Sequence, residues 1–169
     1  RPEVPQLRIN FATFLFGRGY VDRAWPHYRY RTDPKAGPRL GVRYNPALPR
    51  WDGDDLAGKR VMVMAEQGLG DEVMFGFMLP ALAQEAAGLA IGCDRRLVDA
   101  FQRAFPQAHV GAYQDVVVNQ VRDRVFPALE KPFLDGDLDL DHALPIGCLG
   151  ERYWRDPKAL PPWPRGYLS

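Results

Sequence analysis

The sequence is short of cysteine, of long apolar runs and of any excess of charge. Cys93 and Cys148 are too few and too far apart to form a metal motif, and a reduced thiol at Cys93 would pack at the end of a buried strand. A reducing, cytoplasmic compartment fits, and neither metal nor cofactor is expected. No apolar run reaches the roughly 18 residues that a membrane span needs, and Arg1-Pro2-Glu3-Val4-Pro5 does not read as a signal peptide. Lys and Arg number 22 against 21 Asp and Glu, so the overall charge points neither to nucleic acid nor to an anionic membrane. A neutral or locally read ligand is expected instead.

What is present is enough for a core. With 169 residues, 46% of them apolar, the chain fits one domain with an appendage. The missing initiator methionine and the ending at Tyr167-Leu168-Ser169 read as a piece of a longer protein.

The most informative segment runs from Lys59 to Pro80. Val61 to Met64 make a short buried strand, Gly68 and Gly70 a sharp turn, and Asp71 stands where a long apolar helix begins. This is the strand, glycine turn and helix of a dinucleotide-type fold, which places a ligand at the carboxyl end of a parallel strand. Glycines let a ligand approach the backbone, and free amides at a helix start favour an anion. Asp71 opposes an anion there and suits a hydroxyl-bearing ligand. The structural alternative is that Asp71 is only the N-cap.

Either side of this segment the organisation is plain. Residues 7 to 31 read as a helical hairpin, with Leu7, Phe11, Phe14 and Leu15 as its apolar positions and a break near Gly17 and Gly19. Pro26 is tolerated if the second helix starts near Val21 or Asp22. Residues 33 to 58, rich in proline and glycine, read as a linker anchored by Trp51. The basic stretch Arg23 to Arg43, with Tyr28, Tyr30 and Tyr44 interleaved, reads mainly as solvated, a nucleic-acid surface being the alternative.

After residue 59 strands and helices alternate: Val61 to Ala65, Asp71 to Ala87, Leu89 to Cys93, Arg95 to Phe105 and His109 to Gly111. The expectation is an α/β, Rossmann-like parallel sheet with flanking helices. The first of these helices is apolar nearly all round, and Pro80 should kink it near Gly76. Asp115 to Val125 fits a strand or an amphipathic helix, and helix is preferred. Asp135 to Asp141 lacks the twelfth-position ligand and sixth-position glycine of a calcium loop, so a short strand with outward acids is expected. Leu144 to Arg155 reads as a turn and a helix, and His142 as an ordinary surface or core residue.

Several segments together resemble a known family. Ala24-Trp25-Pro26-His27-Tyr28-Arg29-Tyr30-Arg31, Pro49-Arg50-Trp51-Asp52-Gly53, Leu56-Ala57-Gly58-Lys59 and Ala65-Glu66-Gln67-Gly68-Leu69-Gly70-Asp71-Glu72 follow in order, with Leu144 to Gly150 and Gly166-Tyr167-Leu168 behind them. This set resembles bacterial proteins that join tetratricopeptide repeats to a glycosyltransferase-like domain similar to heptosyltransferases and O-linked N-acetylglucosamine transferases.

The resemblance implies a helical hairpin over 1–32, a linker over 33–58, and over 59–169 the N-terminal, acceptor-side half of a glycosyltransferase B fold. The half that binds the nucleotide sugar would lie outside the chain, leaving it inactive alone. It further implies Asp71 as the general base that takes a proton from a sugar or protein hydroxyl. Gly68, Leu69, Gly70, Gly147 and Cys148 would shape the acceptor pocket, with cysteine standing where many relatives have serine. Glu66 and Gln67 would either orient acceptor hydroxyls or cap the turn structurally. Trp25, Tyr28 and Trp51 are expected to pack at the junction, since one repeat cannot bury its face alone. The competing reading is a non-catalytic interaction scaffold, with self-association through exposed apolar faces.

Overall fold

A computed structural model describes residues 4–33, 42–44, 48–66, 68–118, 121–156, 158 and 168. Four strands form the central sheet: β2 (Arg60–Met64), β3 (Gly88–Cys93), β4 (His109–Ala112) and β7 (His142–Pro145). Their order is β4-β3-β2-β7 and every neighbouring pair is parallel. The expected α/β, Rossmann-like architecture is therefore present. Val63 pairs with Ile91 on one side and with Leu144 on the other, which fixes the register at the sheet centre.

The alternation of β2 divides the core in two. Val61 and Val63 join Leu89, Ile91 and Leu144 under α3 (Leu69–Gly76), α4 (Leu79–Glu85) and α5 (Val98–Ala104), where Phe75, Leu79, Leu82 and Phe101 are buried. Met62 and Met64 face the other way, onto Phe126, and Leu129 of α6 (Pro127–Leu134). Phe126 lies so close to β3 that a Cβ on Gly92 would stand 2.2 Å from its ring, so only glycine fits there.

The long helix expected from Asp71 to Ala87 is two helices. α3 ends at Gly76 and α4 begins at Leu79, with Pro80 in its first turn, where the missing N–H is not needed. Phe75, Met78, Leu79 and Leu82 of this apolar stretch are buried, while Val73 and Met74 are exposed.

Three further expectations need correction. Asp115 to Val125 is not a helix: β5 (Gln114–Val118) and β6 (Val121–Val125) pair antiparallel, Asp115 opposite Arg124. The linker holds β1 (Val42–Tyr44), which pairs parallel with β6 and completes a second sheet of order β1-β6-β5. Residues 135–141 form turns and extended chain without strand pairing; Leu138 and Leu140 are buried while Asp139 and Asp141 bind Arg60. The turn and helix expected over Leu144 to Arg155 are a 3-10 turn over Ile146–Leu149 and the short α7 (Gly150–Tyr153), with Leu144 itself at the end of β7.

The hairpin of α1 (Pro5–Gly17) and α2 (Val21–Tyr28) buries Ile9, Ala12, Leu15, Val21 and Ala24. Leu7, Phe11 and Phe14 point outward, opposite to the face expected for them. α2 continues as a 3-10 turn over Arg29–Thr32. Trp25 joins the hairpin to the α/β unit: its ring meets Phe75 at 6.3 Å, and its Nε1 donates to the Trp154 carbonyl at 2.6 Å. A Cβ on Gly150 would fall 2.2 Å from that ring, so α7 approaches Trp25 only because residue 150 is glycine. Trp51, also buried, is held by its Nε1 to the Asp54 carbonyl and by its amide to Ala143.

Candidate functional site

The sheet changes direction beside β2: β3 and β4 extend to one side, β7 to the other. In open α/β sheets a ligand crevice lies outside the carboxyl ends of strands at such a point. Here those ends carry Ala65 and Glu66 after β2, and Ile146 and Gly147 after β7.

Glu66 does not face an open cleft, which corrects one sequence expectation. It is 2% exposed, and both carboxylate oxygens are engaged. Oε2 accepts from Arg31 Nε at 2.6 Å, and Oε1 accepts from the Gly147 amide at 2.7 Å and from Arg31 Nη2. Arg31 is itself buried; it donates to the Tyr28 carbonyl at 3.1 Å and lies 4.2 Å from the Tyr28 ring centroid. Burial opposes its charge, yet the Glu66 carboxylate holds it well above its ordinary value. The hairpin thus inserts a guanidinium into the switch point and ties β2 to β7 through Glu66. Gly147 has no room for a side chain, because a Cβ would stand 2.8 Å from Arg31 Nη2.

Cys148, half-buried, accepts from Arg31 Nη2 at 3.6 Å, and burial pushes its thiol up. It borders a cleft of about 420 Å³ between the end of the hairpin and the carboxyl end of β7, lined also by Arg29, Arg50, Trp51 and Pro145.

Above this tie lies the glycine turn. Gln67 falls outside the described residues. Gly68 is the N-cap of α3 in an extended conformation, and the amides of Asp71 and Glu72 both reach its carbonyl. Asp71 is therefore the third residue of the helix and not its cap. Its side chain is half-buried, and no hydrogen bond or ion pair holds it among the described residues. A Cβ on Gly68 or Gly70 would meet nothing within 4 Å, and neither residue has a positive φ. Among the described residues, neither packing nor backbone strain requires glycine at either position. Leu69 tucks back against the main core.

Asp71 acts on Tyr28 from across the junction. Burial raises the Tyr28 phenol, Arg31 lowers it, and the charges of Glu66 and Asp71 raise it further. The turn and the hairpin therefore share one electrostatic environment.

Sequence reasoning overlooked a second cluster on the far side of α3. Glu72 is fully buried. Its Oε2 accepts the Asp94 amide at 2.8 Å, while Oε1 is buried without a hydrogen-bond partner among the described residues. Burial pushes the Glu72 carboxyl up to about 7, against the Asp94 amide and Arg124, which favour the ion. The signal was spacing: Glu72, Phe75 and Gly76 share the buried side of α3. Arg31 had no comparable signal, since it sits in a stretch that reads as solvated.

The chain is 39% identical over 151 residues to Protein FlbA of Caulobacter vibrioides, an alignment that covers 86% of this chain and 24% of that protein. It spans about a quarter of the length of the curated relative it matches (24%). No family model matches the sequence. No solved structure matches it either. Among the described residues no helix is long and apolar enough to cross a membrane, and no group of acidic, histidine and cysteine side chains could hold a metal ion.

Proposed function

We propose that the chain is the acceptor-side half of a glycosyltransferase-like protein, joined to a repeat-like helical hairpin and working in a reducing, cytoplasmic setting. The observation that carries this reading is the Asp71 carboxylate, unengaged among the described residues, in the first turn of α3 beside two glycines that no contact among those residues requires. A carboxylate so placed can take the proton of a hydroxyl brought within hydrogen-bond reach as that hydroxyl attacks a sugar. The amides of Leu69 and Gly70 lie at the open helix start and can orient the acceptor. The nucleotide sugar would be bound mainly by a half outside this chain, so the chain alone binds acceptor and transfers nothing. Two free cysteines fit the compartment.

The test is a titration of isotopically labelled chain with a panel of saccharides and, separately, nucleotide sugars, following the amides of residues 68 to 72. Saccharides should shift those amides, Asp71→Asn should weaken the response, and nucleotide sugars should leave the turn unmoved. Silence from every saccharide, or sugar transfer by the isolated chain, would sink the reading.

One observation favours a different role. Val4, Leu7, Phe11 and Phe14 are exposed along one side of α1, which suits a scaffold that binds another protein or itself. Light scattering across a wide concentration range separates the self-associating form of that reading from a strict monomer.

A further inference from the structure

Two carboxylates are buried around the glycine turn, and the protein answers them differently. Glu66 meets a guanidinium on both oxygens. Among the described residues Glu72 Oε2 accepts one backbone amide and Oε1 has no hydrogen-bond partner, with the Tyr113 hydroxyl the one side-chain donor that favours its ion. Arg124, whose charge favours the Glu72 ion, is bonded to Asp115 at 2.9 and 3.3 Å and to the Ala65 carbonyl at 3.4 Å, and lies 3.7 Å from the Tyr113 ring centroid. An uncompensated charge in such a place is costly, whereas a protonated carboxyl is tolerated.

We propose that Glu72 is a proton-operated latch: protonated, it stays inside and holds the Asp94 amide, docking the first turn of α3 on the end of β3; ionised, it drives that turn away from the sheet. The turn that moves carries Gly70 and Asp71, so the latch controls the geometry of the open helix start whatever ligand that start takes.

The groups around Glu72 leave it as the titrating member. Cys93, at the end of β3, has its thiol pushed up to about 12 by burial and by the charges of Glu72 and Asp94. Tyr113, after β4, is likewise pushed up to about 12, chiefly by burial. Asp94 is held well below the carboxylate range by Arg96, from the turn after β3, so it keeps its charge. Arg124 of β6 stays cationic beside Asp115 of β5. Between mildly acidic and mildly basic pH, Glu72 is the member of this cluster that changes charge.

The experiment is a carbon-detected carboxyl titration of the full chain from about pH 5 to about pH 9, with Glu72 assigned by its loss in Glu72→Gln. Hydrogen exchange of the Asp94 amide, corrected for intrinsic base catalysis, is followed over the same range. Glu72 should titrate well above the ordinary glutamate range, and Asp94 protection should fall about tenfold or more with the same midpoint. Protection in Glu72→Gln should stay flat. An ordinary Glu72 midpoint, or protection curves that run parallel in both proteins, overturns the latch. Should Glu72→Gln not fold, the wild-type curves decide: a shared midpoint supports the latch and separate midpoints overturn it.

Discussion

At the scale of single residues, three neighbouring acids show how burial and partnership set a role. Glu66 is buried and paired, Glu72 buried and half-satisfied, Asp71 half-buried and unengaged among the described residues. Replacing Glu66 by Ala strands the Arg31 guanidinium in the interior and should cost about 3–5 kcal/mol in denaturant unfolding. Asp71→Ala should stay within about 0.5 kcal/mol of the parent, because its side chain makes no hydrogen bond or ion pair among the described residues. A large loss at Asp71 would mean that the carboxylate has a structural partner. The glycines divide in the same way. Gly70→Ala enters open space on a helix and should be neutral or stabilising by up to about 1 kcal/mol while obstructing ligand access. Gly150→Ala drives a methyl into the Trp25 ring and should lose about 1–3 kcal/mol. Thermal unfolding of the two variants side by side checks both. The glycine turn between β2 and α3 was legible in the sequence because it is local. The Arg31–Glu66–Gly147 tie was not, since its members lie 35 and 81 positions apart and no periodicity records such a meeting.

At the scale of elements, the strands with unambiguous surroundings were readable and the others were not. β2, β3 and β4 are short apolar runs separated by helical patterns, a spacing that only a parallel sheet satisfies comfortably. Val116, Val117, Val118 and Val121 satisfy a helical period as well as a strand period, so local preference alone could not choose between them. Tertiary context decided: Asp115 lies opposite Arg124 across the hairpin, and the buried Arg124 guanidinium needs that carboxylate. β1 was hidden because three residues inside a proline-rich stretch become a strand only through their pairing with β6. Asp115→Ala should therefore cost about 1–3 kcal/mol. In a double-mutant cycle with Arg124→Met, the two losses should add to clearly more than the double variant shows. Simple additivity in urea unfolding would show that the pair contributes no coupling.

At the scale of the whole molecule, the hairpin and the α/β unit share one core through Trp25, and the stability of that unit should depend on pH in an unusual direction. Most buried carboxylates are paired and lose stability in acid. Asp141 is of this kind: Arg60 binds it at 2.8 Å and holds its carboxyl down to about 2, so its contribution is present above the ordinary aspartate range and fades as pH falls through about 2. Glu72 works the other way. Its carboxyl is raised from 4.5 to about 7 in the folded state, so the unfolded chain releases this proton first as pH rises. The stability it supports is complete below 4.5 and is lost as pH climbs through about 7. A shift of that size corresponds to at most about 3 kcal/mol once both states are ionised. Urea unfolding at a series of pH values should give a maximum on the mildly acidic side and a decline through neutrality. Glu72→Gln cannot ionise and keeps an oxygen for the Asp94 amide, so it should remove that decline and exceed the parent in stability at pH about 8. A parent protein whose stability stays level through neutrality, or a Glu72→Gln variant weaker than the parent in base, would show that the interior accommodates the Glu72 charge.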